Sequence, residues 1–177
     1  MKALVLNGPR ASGKTLLANY LITQIPRSRR FDMVAPLKSA GDFIFSQHWF
    51  DLEQNKDNPD YLPGPTYRQF LISLSNLLKQ MYGEDFLAHR LLDKLSTTLI
   101  SAAILSIGDQ AEFNTIAKHF GKDLLLIQIT RPGHGFSGDS RKYLTHASIT
   151  TLPNDSTPED FCHRGFLLAD SFLRGTD

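Results

Sequence analysis

The sequence predicts an α/β fold, a five-stranded parallel sheet with helices on both faces. Three observations predict it. Short continuous apolar runs such as Ala3-Leu4-Val5-Leu6 read as strands buried on both faces. They alternate with segments of helical period, the pattern that a parallel sheet with crossover helices requires. The chain of 177 residues, 41% of them hydrophobic, suits one domain with a sizeable core.

The first strand, Ala3 to Leu6, runs into a glycine-rich turn. Leu16, Leu17, Tyr20, Leu21 and Ile25 recur at helical spacing until Pro26 stops the helix. Phe31 to Val34 reads as the second strand. Pro36 opens a second helix with Leu37, Ala40, Phe43, Ile44 and Trp49 as expected core positions. Asp51 to Thr66, with Pro59, Pro63 and Pro65, reads as a polar loop long enough to carry function.

Thr66 is placed to cap a third helix whose buried stripe is Phe70, Leu71, Leu74, Leu78 and Met81, ended by Gly83. Asp85 caps a further helix to about Leu95. Leu99 to Ile107 reads as the third and central strand, Asn114 to Phe120 as a helix closed by Gly121, and Leu124 to Ile129 as the fourth strand. Arg131 to His146 is irregular. Ala147 to Leu152 is the fifth strand and Thr157 to Leu173 the last helix. Residues 1–177 thus read as a single domain, with 51–98 a helical insertion for an acceptor and 131–147 a lid segment.

Gly8-Pro9-Arg10-Ala11-Ser12-Gly13-Lys14-Thr15 matches G-x-x-x-x-G-K-[ST] without a gap. Glycines let the backbone curl so that successive N–H groups face phosphate oxygens, and the following helix adds its positive dipole end. Lys14 is placed to reach the β- and γ-phosphates of ATP, and the Thr15 hydroxyl to bind Mg²⁺. A buried strand before and an amphipathic helix after are the setting this motif needs. The fold expected is therefore the three-layer α/β/α fold of P-loop NTPases. Asp109, at the carboxyl end of the third strand, is the candidate second metal ligand, since ligands bind at that end of open α/β sheets; Gly108-Asp109 is also a good turn pair.

Phosphoryl transfer needs positive charge on the migrating group and around the acceptor. Arg131 and Arg141 stand in the glycine-rich segment after the fourth strand, where Gly133, Gly135 and Gly138 would let a lid close. Arg68, Ser75 and Lys79 share one stripe of the third helix, which reads either as an acceptor wall, joined by Arg90, or as a solvated face. His134 and His146 read either as phosphate contacts or, by preference, as structural or solvated residues.

A net charge of +1 argues against a large non-specific nucleic-acid surface. The lone Cys162 rules out an internal disulfide and reads as a small buried hydrophobe, which suits a reducing cytoplasm. The six histidines show no zinc-ligand spacing, so no structural metal is expected. Neither a leader peptide nor a membrane span is expected: Leu99 to Ile107, the longest apolar run, contains two serines and is too short to span a bilayer.

Together LNGPRASGKT (6–15), APLK (35–38), TYRQFL (66–71), IGD (107–109), ITRPG (129–133), HAS (146–148) and LPNDST (152–157) resemble the phage deoxynucleoside monophosphate kinases and their P-loop relatives in the nucleoside monophosphate kinase-like group. The likeness spans nearly the whole chain and rests on the order of these segments. It implies ATP and Mg²⁺ as cofactors, a nucleotide-type acceptor, and the host cytoplasm if the protein is phage-encoded. It places Lys14 and Thr15 in the ATP site, Arg68 on the acceptor, Asp109 by the metal, Arg131 or Arg141 by the transferring phosphate, and Asn154-Asp155 beside the adenine.

The family often carries arginine two residues after the strand-end aspartate, where this chain has Ala111. That departure, and GDSRKYL (138–144), resemble a divergent phage branch that phosphorylates the hydroxymethyl group of 5-hydroxymethyluracil in DNA. DNA therefore stays open as a substrate. A hydroxyl acceptor benefits from a carboxylate base, for which Asp32 and Asp109 are the candidates. A third alternative is an ATP-binding regulatory module without an acceptor. The oligomeric state is open, a homodimer included.

Overall fold

The structure is a computed structural model that describes residues 1–62, 64–137 and 141–175, with the backbone alone at Trp49 and Phe50. Pro63, Gly138 and the Trp49 side chain, each singled out from the sequence, lie outside the described residues. The described chain forms two compact units, Met1–Asp32 with Ala88–Asp177, and Met33–Leu87.

The first unit is built on a five-stranded sheet in the order β2-β3-β1-β4-β5. The strands are β1 (Lys2–Asn7), β2 (Ser28–Asp32), β3 (Ala102–Ser106), β4 (Leu124–Thr130) and β5 (Ile149–Pro153), and every neighbouring pair is parallel. The chain leaves β1 through α1 (Lys14–Gln24) toward β2 and leaves β3 through α6 (Gln110–Phe120) toward β4, in opposite directions along the sheet. Right-handed crossovers put two such helices on opposite faces. Leu4 and Leu6 of β1, Ile104 of β3 and Ile129 of β4 pack with Leu17 and Leu21 of α1 and with Phe161, Ala169 and Phe172 of α7 (Pro158–Arg174). Val5, Leu105 and Leu126 alternate to the other face and are also buried, as are Phe113 and Ile116 of α6. The expected three-layer α/β/α fold with a five-stranded parallel sheet is thus present.

Several boundaries differ from the sequence reading. β2 begins at Ser28 and ends at Asp32 rather than covering Phe31 to Val34. It is an edge strand, and edge strands carry charge (here Arg29 and Arg30) that hydropathy does not read as strand. β3 begins at Ala102; Leu99 lies outside it and is 91% exposed. α6 begins at Gln110 rather than Asn114, because Asp109 caps it by accepting a bond from the Glu112 N–H at 3.0 Å. β5 begins at Ile149 rather than Ala147.

The second unit contains α2 (Ala35–Phe45), α3 (Trp49–Gln54), α4 (Tyr67–Tyr82) and the start of α5 (Phe86–Ser96). The helix α3 falls in the segment expected to be a loop. Leu52 within it is fully buried and forms a small core with Leu62 and Tyr67. Phe43 and Ile44, expected in the core, are 87% and 57% exposed. The buried line of α2 is instead Leu37 and Gly41, where a Cβ on Gly41 would stand 2.7 Å from the Tyr67 ring. On α4, Tyr67 is buried; Phe70, Leu71, Leu74 and Leu78 are half-buried, and Met81 is exposed. Thr66 caps this helix as expected, in a reciprocal capping box with Gln69.

Candidate functional site

The end of β1 delivers Gly8 between β3 and β4, at the carboxyl edge of the sheet. Adjacent strands β1 and β3 send their helices to opposite faces, so this edge is the topological switch point where such sheets open a crevice. Glycine is required at Gly8: a Cβ there would lie 2.5 Å from the Ile129 carbonyl oxygen and 2.7 Å from Ser12 Oγ. Gly13 has φ of +108°, a conformation that disfavours any side chain, and Ala11 takes the left-handed region at +59°. The loop so curled has Ser12 fully buried at its base.

Three side chains hold the curl. Lys14 Nζ donates to the Gly8 and Pro9 carbonyls, both at 2.6 Å, so its ammonium lies across the loop. Asn154 Nδ2 donates to the Ser12 carbonyl at 2.8 Å, and its own N–H bonds Thr130 O at 2.7 Å. Arg131 Nη1 donates to the Ala11 carbonyl at 2.7 Å. In a trans peptide the N–H points opposite to the C=O, so holding these carbonyls orients the loop's N–H groups the other way. The result is an open cavity of about 410 Å³ lined by Ala11 to Leu16, Arg131, Asn154, Ser156 and Pro158. It combines a helix N-terminus, a lysine and an arginine, the chemistry of an anion site.

Of the residues singled out from the sequence, Gly8 to Thr15, Arg131 and Asn154 come together around this loop. Asp109 follows β3, the neighbour of β1, with one oxygen engaged by the α6 cap. The Arg141 stem packs over Gly108, where a Cβ would meet Arg141 Cδ at 2.5 Å. Asp32 ends β2, opposite Ser106 of β3, one strand further along the same edge. Arg90 pairs with Asp93 at 3.2 Å on the exposed face of α5. Arg68 and Lys79 belong to the second unit, where the Arg68 guanidinium pairs with Asp57 through Nε and, at 3.1 Å, through Nη2. His134 bonds the Pro132 carbonyl and His146 packs edge-on against Phe113, local roles in both cases. Cys162 is buried, and burial with nearby Glu159 raises its thiol pKa, which leaves it unreactive.

Sequence reasoning missed three amides. Asn7, buried at the end of β1, donates to the Ile107 carbonyl at 3.0 Å and accepts from the Leu144 N–H at 3.1 Å. Gln128 of β4 donates to the Leu144 carbonyl at 2.5 Å. Gln110 of α6 pairs with both the N–H and the C=O of Thr145, at 2.8 and 3.2 Å. The segment read as irregular is therefore tied down over residues 142–145. The available signal was a polar residue closing each of two apolar runs, LVLN and LLLIQ.

No protein-family model and no curated protein matches this chain. Among solved structures, an unliganded sugar kinase from Janibacter sp. HTCC2649 is similar at a TM-score of 0.48 and 12% identity, over 96% of this chain and 95% of that one. Shikimate kinase from Aquifex aeolicus is similar at 0.47 and 12% identity, over 98% and 99%. At TM-scores below 0.5 neither likeness bears on the fold or the chemistry, which rest on the sheet and loop above. No helix among the described residues is long and apolar enough to cross a membrane.

Proposed function

We propose that this protein is an ATP-dependent kinase that transfers the γ-phosphoryl group to a nucleotide-type acceptor, a deoxynucleoside monophosphate in the reading that fits best. The observation that carries it is the loop Gly8 to Thr15, curled at the carboxyl edge of a central strand with Lys14 across it and Arg131 and Asn154 at its rim. Glycine at Gly8 lets the loop pack against the Ile129 carbonyl of β4, where any Cβ would collide, so the curl is kept by the backbone itself.

The residues present also suit Mg²⁺. Thr15 offers a hydroxyl in the first turn of α1 and Asp109 a carboxylate beyond the neighbouring strand, hard oxygen donors of the kind this ion takes. Bound there, Mg²⁺ would neutralise charge on the β- and γ-oxygens. In this reading Lys14 binds those same oxygens, and Arg131 and Arg141 hold the migrating phosphoryl. Asn154 orients the nucleotide at the loop's rim, and Arg68, Lys79, Arg90 and Asp32 serve the acceptor.

The test is ATP consumption and label transfer from γ-labelled ATP with each deoxynucleoside monophosphate and with DNA containing 5-hydroxymethyluracil. We expect turnover that depends on a monophosphate acceptor. Transfer to the DNA alone would move the acceptor to a base hydroxyl. Equal hydrolysis in every case with no labelled product would overturn the kinase reading in favour of a regulatory module.

A further inference from the structure

The strap of residues 142–145 is held in an unusual manner. Residues 142–145 carry no ladder of β-bonds; their backbone groups are paired instead by side-chain amides from three elements. Asn7 of β1 takes the Leu144 N–H and reaches Lys142 O at 3.4 Å, Gln128 of β4 takes the Leu144 carbonyl, and Gln110 of α6 takes both backbone groups of Thr145 and its hydroxyl. Leu144 is 2% exposed, so burial alone would anchor the strap. The amides do more, because paired donors and acceptors fix register and orientation where an apolar contact does not.

Next to the clamp is Arg141. It stands one residue before the clamped stretch, and its aliphatic stem crosses Gly108 so closely that any side chain there would collide with it. Gly108 precedes Asp109 and lies beside the start of the phosphate loop, since Ile107 N–H bonds Leu6 O and Asn7 bonds Ile107 O. Asn7 thus touches the β1 end, the β3 end and the strap at once.

We propose that Asn7, Gln110 and Gln128 are positioning residues that hold Arg141 at the γ-phosphate end of the nucleotide site. This rests on the kinase reading for the identity of the ligand. An arginine fixed before the ligand arrives binds a terminal phosphate without first being ordered, so the clamp would act on ATP and not on ADP.

The experiment measures the ratio of Kd for ADP to Kd for ATPγS, with thermal melting alongside, in the full chain and in Arg141→Ala, Gln110→Ala and the double variant. Gln110 is chosen because it is less buried than Asn7. We expect Arg141→Ala to lower the ratio about tenfold. Gln110→Ala should lower it roughly threefold or more, and the double variant should fall no further than Arg141→Ala, since the two act as one unit. An unchanged ratio in Gln110→Ala, whatever its melting temperature, would reduce the clamp to a structural role and overturn the proposal. So would losses that add in the double variant, or an unchanged ratio in Arg141→Ala, with the nucleotide site itself left standing. Wild-type protein that binds neither nucleotide would instead remove the nucleotide reading, and the proposal with it.

Discussion

Lys14 is the residue on which the proposed chemistry depends most. Its ammonium lies over the loop, 2.6 Å from each of two carbonyls, and in the proposed reading it binds the phosphate oxygens on which charge develops. Removing one such preorganised donor typically costs about 10²–10³ in turnover. Lys14→Ala should therefore lower acceptor-dependent turnover by about that factor while its melting temperature stays close to wild type, as activity and melting curves would show. Near-wild-type turnover would refute the assignment. At this scale the loop was fully legible, because its spacing is itself the chemistry: each of Gly8, Gly13 and Lys14 is demanded by local backbone geometry. Asn7, Gln110 and Gln128 were not: a polar residue closing an apolar run marks Asn7 and Gln128, but an amide's partner lies up to 137 residues away and no local pattern names it. Asp109 was legible as a strand-end acid, but its bond to the Glu112 N–H shows only once the helix start is known.

β1 and β4 lie inside the sheet and announce themselves by hydropathy, whereas β2 lies at the edge and was displaced by its arginines. In α2 hydrophobicity pointed to Phe43 and Ile44, yet the helix packs through Gly41, whose missing side chain is what admits Tyr67. The same device joins α7 to α1. A Cβ on Gly165 would stand 2.4 Å from Leu17 Cδ1 and 3.2 Å from Leu152 Cδ2, inside the main core. Gly165→Ala should destabilise the protein by about 1–3 kcal/mol through overpacking, outweighing the helix propensity gained, as denaturant unfolding would measure. A more stable variant would mean the α1–α7 packing is looser than described.

The second unit has its own electrostatic signature. Glu53 of α3 accepts from Lys56 and pairs with Lys38 at 3.3 Å. Burial raises its pKa, but the Lys56 bond and the charges of Lys38 and Lys56 outweigh that and hold it below the usual glutamate value. A lowered folded pKa means stability that is present above the unfolded value, about 4.3, and lost as pH falls through the folded one. Glu53→Gln should thus melt lower than wild type at pH 7, by on the order of 1 kcal/mol, with the gap closing below about pH 4. A gap that persists unchanged at pH 3 would show that the charge does not contribute.

For the molecule as a whole, charge offers a test between the two proposed acceptor classes. Of 19 cationic and 18 anionic side chains, several cations are paired within the fold: Lys38 and Lys56 with Glu53, Arg68 with Asp57, Arg90 with Asp93, Arg164 with Asp155 and Arg174 with Asp170. A protein that grips DNA neutralises several phosphates, and its affinity then falls steeply with salt, by about 10³–10⁵ between 50 and 200 mM for 6–10 contacts. A mononucleotide offers one phosphate and carries no condensed counterion atmosphere, so one or two cations suffice and the same change in salt costs far less. The internally paired charge predicts the second behaviour. Acceptor KM measured at 50, 100 and 200 mM salt, with ATP saturating, should rise by no more than about tenfold. A rise of several hundredfold, found with a DNA acceptor and absent with a mononucleotide, would mean that the paired cations are released to phosphates on binding. The acceptor would then be a base within a polynucleotide, and Asp32 or Asp109 would be needed as the base that takes the hydroxyl proton.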